Sequence, residues 1–143
     1  MTSIVIDTCV MSLYDTPMDP TYKDLFSWLF ENGTLVISQH LLNEYNRSNN
    51  YKIFVLLEHL MRHEEHKRLV KIPNDQINQF KEDKKFKYTC NQEDINNARL
   101  VFLSERKKLI THDKPLTTDV NKFKKVDGIK PKATKQPSTD FYS

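Results

Sequence analysis

The sequence predicts an α/β domain built around a parallel β-sheet. Short apolar runs rich in isoleucine and valine alternate along the chain with segments whose apolar residues recur at helical spacing. Such runs are typical of strands buried on both faces, as in a parallel sheet covered by helices. Two of them, at residues 4–6 and 109–111, lead into the acids Asp7 and Asp113. The predicted class is a three-layer α/β/α sandwich with acids at the carboxyl edge of its sheet, where ligands bind in such folds.

Five segments have the composition of strands, and one boundary divides the chain. The predicted strands are residues 4–6, 34–37, 69–72, 109–111 and 126–129. A polar turn at residues 14–19 separates the first strand from the first helix. Beyond Pro131 the sequence is polar and lacks apolar periodicity. We therefore expect one domain at residues 1–130 and a flexible polar tail at residues 131–143.

Capping residues mark the predicted helices. Asp19 followed by Pro20 is typical of an N-cap with proline at the first helical position, and Gly33 ends that helix. Ser38 can cap the next helix, and Asn91 opens the longest one. The predicted helices cover residues 20–31, 39–45, 53–61, 74–80 and 91–103, and charged stretches lie at residues 62–68 and 81–87.

Composition limits the classes of protein. The 143 residues carry a net charge of +3, which suits a nucleic-acid partner without requiring one. No run approaches the roughly 20 apolar residues that span a bilayer, so we expect no membrane association. Only two glycines occur, which excludes the glycine-rich loops that bind phosphate or dinucleotides. The start of the chain lacks a secretory pattern, and Cys9 and Cys90 are far apart, so we expect reduced thiols in a cytoplasmic protein.

Acidic residues on several predicted elements can meet at the carboxyl edge of the sheet. The candidate ligands are Asp7, Glu44, Asp94 and Asp113, and the supporting residues are Thr8, Thr111 and Asp119. Clustered carboxylates repel one another unless a cation neutralises them. Oxygen donors without histidine or thiolate select a hard ion, so the predicted cofactor is Mg²⁺ or Mn²⁺. Such ions activate water and stabilise the charge that develops on a phosphodiester.

Each candidate also has a structural interpretation. Asp7 and Asp113 can simply begin turns, and acids in the first turn of a helix, such as Asp94, stabilise that helix. Glu93 is the alternative to Asp94 if the helical register differs by one residue. Asp119 suits a structural role better than direct ligation. The doubled pattern of a strand followed by an acid favours the ligand interpretation.

In their order along the chain, these pieces resemble a PIN domain. The resemblance covers residues 4–129 and is carried by residues 4–10 (IVIDTCV), 38–44 (SQHLLNE), 94–98 (DINNA) and 109–114 (LITHDK). It implies strand order 3-2-1-4-5 and a Mg²⁺- or Mn²⁺-dependent endoribonuclease that cuts single-stranded RNA. The four candidate acids would be catalytic and metal-binding, with Thr111 assisting Asp113. Small PIN domains resemble VapC toxins, which implies an antitoxin-like protein inhibitor, and PIN domains often form homodimers.

Two features depart from the PIN pattern. The usual second acid just after Asp113 is absent from residues 114–116, and Asp119 either replaces it or caps the next segment. The charged insertion at residues 51–88 gives no basis for transferring substrate selection.

Two competing interpretations stay open. A catalytically inert PIN-like module would bind RNA or protein through the lysines at residues 84–87 and 122–135, which are interleaved with Phe86, Tyr88 and Phe123. A phosphatase of the haloacid-dehalogenase type is disfavoured because Cys9 stands where it needs a second aspartate. A receiver domain is disfavoured because its acidic pair and late lysine are missing.

Overall fold

A five-stranded sheet organises the computed structural model, which describes residues 2–14, 19–62 and 67–143. The strands are β1 (Ser3–Ile6), β2 (Thr34–Ile37), β3 (Leu69–Lys71), β4 (Lys108–Ile110) and β5 (Lys132–Thr134). All four pairings are parallel and the strand order is β3-β2-β1-β4-β5. The predicted α/β class and strand order are therefore confirmed.

Helices flank this sheet, as expected of a three-layer sandwich. They are α1 (Thr8–Met11), α2 (Pro20–Glu31), α3 (Gln39–Arg47), α4 (Tyr51–Met61), α5 (Asn74–Gln79), α6 (Gln92–Leu103), α7 (Lys114–Lys122) and α8 (Thr139–Tyr142). A 3₁₀ turn at Ser12–Tyr14 continues α1. Within the described ranges, no helix combines the length and the apolarity needed to cross a membrane.

The central strands form the core because both of their faces are covered. Every residue of β1 is buried, as expected for a central strand between helical layers. The register pairs Ile6 with Ile110, so the chain leaves β1 and β4 at the same level of the sheet. Asp7 and Thr111 thereby lie beside each other at the carboxyl edge. Parallel pairing thus positions the candidate site.

The prediction for the end of the chain is wrong. Residues 126–129 form a tight turn, in which Asp127 and Gly128 both have positive φ, instead of a strand. The fifth strand is β5, so the boundary placed at residue 130 cuts through the sheet. Residues 131–143 are not a tail, because Ala133 in β5 and Tyr142 in α8 are buried.

Helix α7 is absent from the prediction, although its start carries a capping signal. Asp113 is its N-cap, its Oδ1 accepts the Leu116 N–H at 3.0 Å, and Pro115 occupies the first turn. The predicted helices and β3 otherwise match the observed elements to within a few residues at their ends. The polar turn expected at residues 14–19 and the charged stretch at 62–68 fall partly outside the described residues.

Candidate active site

Asp7 occupies the first position beyond β1 and combines two roles. It is the N-cap of α1, and its Oδ1 accepts the Thr8 N–H at 2.8 Å. Its Oδ2 accepts the hydroxyl of Thr111 at 2.6 Å. The backbone continues the sheet, since Asp7 N–H donates to the Ile110 carbonyl at 3.0 Å. The carboxylate is therefore held in one orientation from two sides.

Thr111 connects the two acids that follow strands. Its buried hydroxyl donates to Asp7 and accepts the backbone N–H of Asp113 at 3.1 Å. Because this one hydroxyl oxygen serves as both donor and acceptor, Thr111 fixes the distance between the segment after β1, which carries Asp7, and the segment after β4, which carries Asp113. The structure thus brings Asp7, Thr111 and Asp113 together, as the sequence predicts.

Glu44 reaches the same edge from α3. Its Oε2 accepts the Thr8 hydroxyl at 2.8 Å, and its Oε1 lies 2.7 Å from Nε2 of His40 one turn earlier. One further contact holds α3 against β1. The hydroxyl of Tyr45 donates to the Ile6 carbonyl at the end of β1. Glu44 is therefore linked to the Asp7 segment through Thr8.

Ser38 fixes the relative position of α3 and α6. Its Oγ accepts the Leu41 N–H at 3.0 Å as the cap of α3, and it donates to Oδ1 of Asn96 at 3.2 Å. Asn96 lies on α6, two residues beyond Asp94. The helices that carry Glu44 and Asp94 are thus tied together at the edge of the site.

The pKa of Asp94, in the first turn of α6, is influenced by all three other acids. Its pKa is raised to about 7 by burial, then by the negative charges of Asp113 and Asp7, then by a hydrogen bond with Asp113 and by the charge of Glu44. A hydrogen bond between two carboxyls requires that one of them keeps its proton. The other three acids therefore lie close enough to Asp94 to disfavour its ionisation.

The chemistry of the donor set fits a hard divalent cation. Every candidate ligand offers carboxylate oxygen, and Mg²⁺ is usually held by one or two carboxylates while it keeps several waters. Within the described part of the chain, no three His, Cys, Asp or Glu side chains form a ready set of metal ligands. The acids instead engage one another and neighbouring hydroxyl and N–H groups. A few carboxylates with water satisfy Mg²⁺ without a complete protein cage.

Asp119 does not join the four acids. Its carboxylate accepts the backbone N–H of Thr89 at 3.0 and 2.9 Å, the Thr89 hydroxyl at 2.7 Å and the Cys90 N–H at 2.9 Å. Burial alone would raise the pKa of Asp119, but these hydrogen bonds outweigh it and lower the pKa. Asp119 thus anchors the loop that enters α6, which agrees with the structural interpretation of this residue.

His112 and Cys9 also line this edge, which sequence reasoning did not assign to the site. Tyr22 donates its only hydroxyl proton to the Lys135 carbonyl at 2.9 Å, so Nε2 of His112, 2.7 Å from that hydroxyl, must carry a proton and donate. The backbone N–H of His112 lies 3.4 Å from Sγ of Cys9. Cys9 is an exposed residue, but partial desolvation of its thiol by neighbouring groups raises the thiol pKa, which disfavours a nucleophilic role. The sequence does carry a signal for this placement, because His112 directly precedes Asp113 and Cys9 lies two residues after Asp7.

Together, these features define an α/β protein whose parallel sheet carries four interacting acids at its carboxyl edge. The chain belongs to a family of proteins of unknown function (DUF2492), whose profile matches residues 53–124, half of the chain. The matched span includes Asp94 and Asp113, whereas Asp7 and Glu44 lie outside it. No match was found among the curated proteins or among the solved structures.

Proposed function

We propose that this protein is a Mg²⁺- or Mn²⁺-dependent endoribonuclease that hydrolyses single-stranded RNA, with a PIN-type arrangement of acids. The observation that carries the proposal is geometric. The Thr111 hydroxyl bonds both the Asp7 carboxylate and the Asp113 backbone, and the Thr8 hydroxyl bonds Glu44, so these acids meet at one edge of the sheet. Burial and then the charges of Asp113, Asp7 and Glu44 raise the pKa of Asp94, which adds the fourth acid to this group. Carboxylates gathered in this way are costly for a folded protein unless a cation or proton neutralises them. Such groups are typical of functional sites.

The four acids would hold the ion, and the remaining side chains would orient those acids. When bound, a divalent cation supplies Lewis acidity towards a phosphodiester and activates water. Thr111 fixes one oxygen of Asp7, and the Thr8 N–H fixes the other. The Thr8 hydroxyl and His40 engage the two oxygens of Glu44. This network preorganises the donors, which lowers the cost of binding a charged substrate and ion.

The first test is an RNA cleavage assay that compares wild type with Asp7→Asn. Asparagine retains a side-chain oxygen that can cap α1, so the fold should persist while one negative charge is lost. We expect the rate of cleavage of a fluorophore–quencher single-stranded RNA to fall by about a hundredfold or more. Replacing a residue that only hydrogen-bonds to a metal ligand already lowers metal affinity or activity by about 10–100-fold. EDTA should abolish wild-type cleavage. Cleavage by Asp7→Asn at the wild-type rate, with the preparation free of contaminating nuclease, would contradict the proposal.

Calorimetry gives an independent readout of the metal site. Mn²⁺ should bind wild type and should not bind the double variant Asp7→Asn/Asp113→Asn. Both substitutions preserve helix caps, so thermal denaturation should show that the double variant folds. Equal binding by the two proteins would place the ion elsewhere.

One observation favours a second candidate function, an inert PIN-like module that binds RNA or protein. The described residues lack a ready set of three metal ligands, as a module without chemistry would. This candidate predicts RNA binding without metal-dependent cleavage. The pair of assays above separates the two candidates.

Three further proposals accompany the PIN resemblance. An antitoxin-like protein inhibitor and a homodimer would follow from a VapC-type role. A cytoplasmic location would suit Cys9 and Cys90, which are both free thiols. Light scattering of the purified protein tests the dimer directly.

A further inference from the structure

A pocket lies at the far end of α7 from the four acids. Its volume is about 240 Å³. Its walls are Asp83, Lys85, Phe86, Lys122, Phe123 and Lys124. The nine residues of α7 place Lys122 about 13 Å from Asp113 at the usual helical rise, so this Phe86 pocket is separate from the acids.

Two phenylalanines supply an aromatic floor that the core holds in place. The Phe86 ring meets the Phe123 ring edge-on, with centroids 4.8 Å apart and an interplanar angle of 75°. Phe123 in turn stacks on Phe102 of α6 at 3.9 Å. Phe123 is almost fully buried, whereas Phe86 is only partly covered. A flat ligand can therefore contact Phe86 without disturbing the core.

The loop that carries Phe86 is fastened on both sides. Before it, the Arg99 guanidinium holds both oxygens of Glu82 at 3.0 Å, and Tyr88 donates to the same carboxylate at 2.5 Å. After it, Asp119 holds Thr89. A pocket fixed in this way loses little conformational entropy when it binds a ligand.

The rim is positively charged. Lys85, Lys122 and Lys124 are exposed there, against the single carboxylate of Asp83. That carboxylate is already engaged, since Oδ1 accepts the Lys85 N–H at 3.0 Å and Oδ2 lies 3.8 Å from Nζ of Lys124. The ammonium of Lys130 donates to the Phe123 carbonyl at 2.6 Å behind the floor. The ligand should therefore be anionic.

We propose that the Phe86 pocket binds one nucleotide of a single-stranded RNA, with the base on Phe86 and the phosphate among the rim lysines. Aromatic side chains and lysines are the two components of sequence-tolerant single-strand binding. An acidic peptide would match the lysines but would leave the aromatic floor without a flat partner. The choice of RNA over other nucleic acids rests on the proposed function, whereas binding itself needs no chemistry at the acids.

The test measures binding of a short fluorescein-labelled single-stranded RNA by anisotropy in EDTA, where metal-dependent cleavage cannot occur. Phe86→Leu keeps the apolar packing and removes the aromatic face, so affinity should fall about tenfold. Affinity falls with salt, and each lysine that neutralises a phosphate contributes about 0.7 to the steepness of that dependence on a log–log plot. In Lys122→Gln/Lys124→Gln, the slope should therefore become shallower by roughly 1.4. The double variant Lys23→Gln/Lys67→Gln removes the same charge from exposed positions elsewhere and should bind as wild type does.

Several outcomes would overturn the inference. The first is that wild type does not bind the RNA. The second is that Phe86→Leu binds with unchanged affinity and Lys122→Gln/Lys124→Gln keeps the wild-type salt slope. The third is that Lys23→Gln/Lys67→Gln lowers the salt slope as much as the pocket variant does. Preference for a fluorescent polyglutamate peptide, with the same dependence on Lys122 and Lys124, would assign the pocket to a protein partner instead. Binding is measured in EDTA and cleavage is measured with metal, so the two proposals fail separately. RNA binding without cleavage by wild type would overturn the nuclease proposal alone, whereas cleavage with unchanged affinity in Phe86→Leu and an unchanged salt slope in the lysine variant would overturn this one alone.

Discussion

Replacing Asp119 tests how the loop before α6 is held. In Asp119→Ala, the N–H groups of Thr89 and Cys90 and the Thr89 hydroxyl lose their shared acceptor. Asp119 is only 1% exposed, so the vacated space is poorly hydrated. Hydrogen bonds to a charged group are worth about 1.5–3 kcal/mol each, and partial rehydration at the half-exposed loop offsets part of the loss. We expect a net loss of about 3 kcal/mol.

Thermal denaturation converts this loss into a temperature. For 143 residues, an unfolding entropy of about 2.1 cal/mol/K per residue gives about 0.3 kcal/mol/K, so Tm should fall by about 10 °C. The control is Asp24→Ala on the exposed face of α2, where Tm should stay within a few degrees. An Asp119→Ala protein as stable as that control would refute the anchoring role.

The dependence on pH gives a second readout of the same anchor. The pKa of Asp119 is lowered in the folded protein, because hydrogen bonds from Thr89 and Cys90 outweigh its burial. Its contribution to stability is therefore present above its unfolded pKa, near 3.8, and is lost as pH falls through the lower folded value. The difference in stability between wild type and Asp119→Asn should shrink on acidification below about pH 4. A difference that stays constant through that range would contradict the assignment.

Two further predictions concern packing and the site edge. In Gly33→Ala, the new Cβ would lie 2.8 Å from the Trp28 side chain and 2.9 Å from the Leu29 backbone. Chemical denaturation should therefore show a free energy of unfolding lower by about 1–3 kcal/mol. A variant as stable as wild type would contradict this close approach. Tyr22→Phe removes the bond to the Lys135 carbonyl and the acceptor for His112, so stability should fall by about 1 kcal/mol and the ¹⁵N chemical shifts of the His112 ring should change. Unchanged ring shifts would show that Tyr22 does not fix the tautomer.

Two of the four acids, Asp7 and Asp113, were predictable from a local pattern. Asp7 directly follows β1, Asp113 follows β4 after two intervening residues, and parallel pairing sends both to one edge. The links among them were not predictable from sequence. That Thr8 contacts Glu44 across 36 positions depends on how α3 packs against β1. Local patterns thus indicated Asp7 and Asp113, the resemblance to a PIN domain added Glu44 and Asp94, and tertiary packing determined their partners.

The end of the chain shows where sequence patterns fail. The pair Val126 and Ile129 suggested a strand, but Asp127 and Gly128 between them favour a hairpin-type turn with positive φ. β5 is a short edge strand with one buried residue, Ala133, so it has almost no apolar signal. Its position comes from backbone pairing to β4, which apolar spacing does not report.

The acids that cap helices have an evolutionary consequence. Asp7 and Asp113 each begin a helix through a side-chain oxygen, and asparagine supplies an equivalent oxygen without the charge. Aspartate and asparagine codons differ by one nucleotide. A single point mutation at either position would therefore silence charge-dependent chemistry while leaving the helix start intact. The helix cap would persist and one repelling charge would be lost, so the melting temperature would not fall and would give no sign that the charge is missing.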